Sequence, residues 1–162
     1  MIIISLDREE MAAGRKFAKN ISSQNKNPNG YIKGFRNKFI SDFVGIIGEI
    51  AVGKYLELPV DMEVYQGNDG KYDFIYHDRT IDVKANSYPN GQLYFYSHRH
   101  FKADIAVLTV PLVKEEYSYV KIAGWISKEE FMDKSQICNY GYHDNVCVKQ
   151  KDLNDIQILK EG

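Results

Sequence analysis

Asp73, Asp82 and Lys84 lie in two adjoining β-prone runs and together have the donor chemistry of a metal-assisted phosphodiesterase site. The runs are Tyr72-Asp73-Phe74-Ile75-Tyr76 and Thr80-Ile81-Asp82-Val83-Lys84-Ala85, rich in aromatic and β-branched residues and alternating in polarity. His77-Asp78-Arg79-Thr80 supplies a polar turn between them. With the turn centred on Asp78-Arg79, Asp73 lies across from Lys84 and Asp82 across from Ile75, all on one face of a hairpin. Phe74, Tyr76, Ile81, Val83 and Ala85 take the other, apolar face and pack on the core. Two acids side by side repel unless a cation joins them. Mg²⁺ prefers hard oxygens in octahedral geometry and commonly takes one or two carboxylates from protein, the rest from water and phosphate. Asp73 and Asp82 meet that demand and the Val83 carbonyl offers a third oxygen. Lys84 stands where it can orient an attacking water and offset phosphate charge. The competing reading is a cross-strand ion pair, Asp73 with Lys84, on a solvated sheet face.

Residues 42–56 read as a helix that ends before Pro59, with Asp42 as its N-cap. Its apolar residues cover most of the circumference, so it is expected to be largely buried, and Glu49 is a lone acid within that run. A buried carboxylate needs a partner, because desolvation otherwise costs several kcal/mol or keeps it protonated. A metal, a metal-bound water or a lysine at the helix edge would each satisfy it.

In this order the motifs resemble the PD-(D/E)XK nuclease superfamily, which includes restriction enzymes, archaeal Holliday-junction resolvases and phage-encoded nucleases. Gly48-Glu49-Ile50-Ala51 matches its helix-borne glutamate, Asp73 in Gly70-Lys71-Tyr72-Asp73-Phe74 its second-strand aspartate, and Asp82-Val83-Lys84 its acid-x-Lys motif. The proline usual before the aspartate is absent, and the third-strand acid is Asp where Glu is frequent; neither departure removes a ligand oxygen. The resemblance covers residues 43–110. It implies a restriction-endonuclease-like α/β fold, a mixed central β-sheet flanked by helices. It also implies one or two Mg²⁺ or Mn²⁺ ions held by Glu49, Asp73 and Asp82, with Lys84 assisting the water. Gln92 and Tyr96 imitate a glutamine-x-x-x-tyrosine pattern that exonuclease-like branches carry on a helix. Here Gln92-Leu93-Tyr94-Phe95-Tyr96 alternates like a strand after a Pro89-Asn90-Gly91 turn.

The net charge of −1 does not point to nucleic acid, but its distribution does. Residues 11–41 contain no acid and include Arg15, Lys16, Lys19, Lys26, Lys33, Arg36 and Lys38, a segment able to track DNA phosphates. Tyr31, Phe35 and Phe39 are interleaved with these bases and either stack on nucleobases or pack a loop onto the domain. Asn86 and Ser87, just past Lys84, are further candidates for a phosphate contact. His98, Arg99, His100 and Lys102 form either a second basic contact or a solvated helix start.

At 162 residues and 44% hydrophobic, the chain is expected to form one domain. A basic, N-terminal helix and loop (1–41) precedes the catalytic core (42–126) and a C-terminal helix and strand (127–162). The reading along the chain is a helix over 7–21 opened by an Asp7/Glu10 capping box and a polar loop over 22–34. The Glu49 helix and a strand over 60–65 follow, then the hairpin and a strand over 92–96. A buried central strand over 103–110 has an antiparallel neighbour over 117–126, and a short helix capped by Ser127 and Glu130 leads to a last strand over 146–148. Cys138, His143 and Cys147 lack zinc-knuckle spacing, so the cysteines read as free thiols of a cytoplasmic protein without an export signal. Met1-Ile2-Ile3-Ile4 is too short to span a membrane. With no glycine-rich phosphate loop and no serine-histidine-acid arrangement, neither a nucleotide cofactor nor acyl transfer is expected. The sequence thus points to a Mg²⁺-dependent DNA endonuclease. A non-cleaving binding module on the same fold is the alternative outside enzymes; a junction-resolving nuclease acting as a homodimer, or an exonuclease, is the alternative within them.

Overall fold

The near-continuous apolar run around Glu49 forms a helix because it is covered from two sides. In the computed structural model, which describes residues 1–24, 38–60, 72–112 and 119–162, this helix, α2 (Lys38–Leu56), buries ten residues. Ile46, Ile47, Ile50 and Ala51 meet α1 (Arg8–Gln24) through Met11 and Ala18, while Val52 and Leu56 pack on the main sheet. An all-round apolar surface is what such a position requires. The helix begins four residues before the expected Asp42 cap, and Asp42 sits one turn inside, paired with Lys38 at 2.6 Å.

Among the described residues the main sheet has five strands: β1 (Ile2–Ser5), β2 (Phe74–Tyr76), β3 (Arg79–Ala85), β5 (Ile105–Leu112) and β6 (Tyr119–Ser127), in the order β1-β6-β5-β3-β2. Only β3 and β5 run parallel; the other pairs are antiparallel, so the sheet is mixed. A second sheet joins β4 (Leu93–Phe95), β8 (Asp144–Val148) and β7 (Gln136–Asn139). Helices α1, α2 and α4 (Ile156–Glu161) lie on one side of the main sheet. On the other side, Ala106, Leu108 and Val110 of β5 are covered by Leu93, Phe95 and Val148 of the second sheet and by Phe131 of α3 (Lys128–Lys134).

The Asp7/Glu10 capping box forms reciprocally at 2.8 and 2.9 Å, and Ser127 with Glu130 caps α3 in the same way. The strands expected over 92–96, 103–110, 117–126 and 146–148 appear as β4, β5, β6 and β8, shifted by a few residues at their ends. Strands β1 and β7 and helix α4 were not foreseen. Each is short, and β7 is largely exposed, which leaves little apolar pattern to read. Cys138 and Cys147 are not free thiols: the β7–β8 pairing brings them together in a disulfide. Of the strand expected over 60–65, Val60 is not in a strand and the rest lies outside the described residues. Among the described residues no helix is long and apolar enough to cross a membrane.

Candidate functional site

The β2–β3 hairpin turns tightly at His77 and Asp78, which both adopt left-handed backbone (φ 49° and 61°). Positive φ at both central residues marks a two-residue type I′ turn, whose twist matches that of the flanking strands. The pairs are therefore Phe74–Ile81, Ile75–Thr80 and Tyr76–Arg79. This corrects the expected register, which placed Asp73 opposite Lys84 and Asp82 opposite Ile75. The shift is two residues, so every side chain keeps its face. Phe74, Ile81 and Val83 are in the core against α2 and α4, while Asp73, Asp82 and Lys84 share the other face. The position following the Phe74–Ile81 pair is now Asp73 beside Asp82.

Asp73 ends the ladder and replaces part of it. Its N–H donates to the Ile81 carbonyl at 2.7 Å, and its carboxyl accepts the Val83 N–H at 2.7 Å. In an extended strand the N–H and C=O of one residue point to the same side, so the Val83 carbonyl faces the same edge. Burial pushes the Asp73 carboxyl up to about 6, a rise opposed by the Val83 N–H and reinforced by the negative charge of Asp82. Asp82 is also raised by burial, against the pull of Lys84. The two carboxyls stand side by side on one face of the hairpin, and the charge of Asp82 helps to raise Asp73. Lys84 Nζ lies 2.9 Å from Asp82 Oδ2 and 5.3 Å from the centre of the Phe95 ring. The Asp82 side chain is 14% exposed and that of Lys84 41%, so the pair opens to solvent at the lysine end.

Lys84 also lines a cleft of about 330 Å³ between β3 and the second sheet, together with Ala85, Gln92, Tyr94, Tyr96 and His100. The second sheet packs on β5 and β6, and the cleft lies beside that contact. Gln92 and Tyr96 flank β4 as expected from their alternation, yet both reach the wall that faces Lys84. Sequence reasoning set this pair aside as strand packing, and only the stacking of one sheet on the other brings it to the lysine.

The remaining expected residues are placed as follows. Glu49 is half-buried on α2 and follows Gly48, whose Cα lies against Thr109 and Ala85. Among the described residues no group of three or more histidine, cysteine, aspartate or glutamate side chains is gathered tightly enough to hold a metal. Asn86 is 8% exposed and its side chain is engaged within the loop. Its side chain donates to the Gln92 carbonyl at 3.0 Å and accepts the Tyr88 N–H at 3.0 Å, which fixes the loop that delivers Gln92 to the cleft. Ser87 is half-buried in that loop. Lys38 is held by Asp42 on α2, and Phe39 stacks on Phe43 within the helix and packs at the core margin. Lys26, Lys33, Arg36, Tyr31 and Phe35 lie outside the described residues. No protein-family model matches the chain, and no curated protein matches it significantly.

Proposed function

We propose that the protein is a divalent-metal-dependent nuclease of the PD-(D/E)XK type that hydrolyses DNA phosphodiesters. The observation that carries this reading is the placement of Asp73 beside Asp82 on one face of the hairpin, two part-buried carboxyls both raised by burial, with Lys84 two residues along the same strand. A divalent cation fits there on the chemistry of the donors. It would offset the charge of both acids, and the hard oxygens present suit Mg²⁺ or Mn²⁺. Asp73 and Asp82 would hold it with the Val83 carbonyl, and Glu49 enters on the family resemblance alone. When bound, such an ion acidifies water and offsets charge on phosphate. Lys84 lies 2.9 Å from Asp82, where it would orient the attacking water and meet the phosphate from the open side. The mixed sheet with helices against one face agrees with a restriction-endonuclease-like architecture.

The test is cleavage of labelled linear, single-stranded, flapped and four-way-junction DNA by the wild type and Lys84→Ala, with Mg²⁺, Mn²⁺ or EDTA. Metal-dependent cutting that Lys84→Ala abolishes is expected. Cutting that survives the substitution overturns the assignment of Lys84, and DNA binding without cutting on every substrate assigns the protein to the non-cleaving modules. Junction preference together with a two-fold dimer would place it among resolving enzymes.

A further inference from the structure

The β4 edge of the second sheet, which would ordinarily be charged where it borders solvent, carries exposed tyrosines. Tyr94 and Tyr96 alternate with the buried Leu93 and Phe95, so both project from the same outer face of β4. Neither stands alone. Tyr94 is 5.3 Å from the Tyr140 ring, and Tyr96 lies 4.2 Å from His143 and 5.3 Å from His100. These rings remain solvent-accessible, Tyr96 at 59%, so their arrangement is not a hydrophobic core. The patch is continuous with the cleft that Lys84 lines. The stretch 96–102 beside it contains Arg99 and Lys102 and no acid.

We infer that Tyr94, Tyr96 and Tyr140 form a stacking platform for the bases of an unpaired nucleic-acid strand, with Arg99 and Lys102 on its backbone and Lys84 at the phosphate to be cut. Exposed rings, with Arg99 and Lys102 in the adjoining stretch, match the chemistry of single-strand binding, in which each nucleobase offers a π-face and the backbone offers charge. A duplex hides its base faces in the stack and cannot use such a platform. The inference takes nucleic acid as the ligand from the nuclease reading and adds to it a preference for unpaired strands, free or at a flap.

The experiment is fluorescence anisotropy with a labelled oligothymidine and a duplex of equal length, in EDTA so that binding is read without cleavage. The wild type should prefer the single strand. Tyr96→Ala and Tyr94→Ala should each weaken that binding by about tenfold, a typical value for one lost stacking contact. Tyr96→Phe, which keeps the ring, should bind as the wild type does, and duplex binding should be unchanged throughout. An equal loss on both substrates, or no loss, overturns the platform. Both tyrosines are exposed, so an unchanged melting temperature is expected for the variants and excludes misfolding as the cause. The two readings fail separately: single-strand binding without metal-dependent cleavage removes the nuclease and keeps the platform. Cleavage of single strands by Tyr96→Ala at the wild-type rate removes the platform and keeps the nuclease. A flapped duplex bound as tightly as the free strand would show that an unpaired end suffices.

Discussion

The Asp73 carboxyl accepts the backbone N–H of Val83 at 2.7 Å, so one side chain both completes the β3 edge and forms half of the acidic pair. These two roles separate by substitution. Asp73→Ala leaves the Val83 N–H without its acceptor and should lower stability by about 1–3 kcal/mol. Asp73→Asn keeps an oxygen for that N–H and removes the repulsion with Asp82, so it should be at least as stable as the wild type near neutral pH while losing metal-dependent cleavage. Urea denaturation of both variants checks this, and an Asp73→Asn protein as unstable as Asp73→Ala would refute it.

Stability should depend on pH through the same group. The folded-state value of Asp73 is raised from 3.8 to about 6. Below 3.8 the folded and unfolded chains both carry the proton. Between 3.8 and about 6 the unfolded chain releases it first, so stability falls as pH rises through this window. Asp82, also raised, acts in the same direction. Melting curves of the wild type minus those of Asp73→Asn should show this loss, and a flat difference would count against the buried acid pair.

Divalent metal should reverse that loss. Mg²⁺ or Mn²⁺ binding only the folded state raises the melting temperature, by an amount that grows with the logarithm of metal concentration above the dissociation constant. The effect should be larger at pH 7 than at pH 5, because protons compete with the metal for carboxyls whose pKa is raised, and Asp82→Asn should abolish it. Calorimetric melts with and without metal at the two pH values decide the matter.

Gly48 is required by the approach of α2 to the sheet. A Cβ there would overlap Thr109 Oγ1 and touch Ala85 Cβ at 3.6 Å, and the Thr109 hydroxyl in turn lies 3.4 Å from the Lys84 carbonyl. Gly48→Ala should therefore cost about 1–3 kcal/mol through overpacking. Adding Thr109→Ala should return part of that loss by removing the overlapping atom. A double-mutant cycle in denaturant measures the coupling, and strict additivity would show that helix and strand do not meet there.

Much of the fold was legible in local pattern. Alternation placed Phe74, Ile81 and Val83 inward and Asp73, Asp82 and Lys84 outward, and the capping pairs Asp7/Glu10 and Ser127/Glu130 marked two helix starts. The hairpin register was misread because His77 and Asp78 both take left-handed backbone, a conformation expected mainly of glycine and asparagine. Lys38 was missed as a helix residue because Asp42 looks like a cap, whereas in the folded chain the two pair one turn apart.

The sequence by itself determined which residues share a face, since a period of two is a property of the strand and survives an even shift in register. It also determined that α2 must be covered on two sides. Only the tertiary structure decided that Asp73 meets Asp82 instead of Lys84, that Cys138 meets Cys147, and that Gln92, Tyr94 and Tyr96 line the cleft beside Lys84. The reason is physical: turn geometry and the packing of one sheet on another join residues distant in the chain, and no local periodicity encodes those distances.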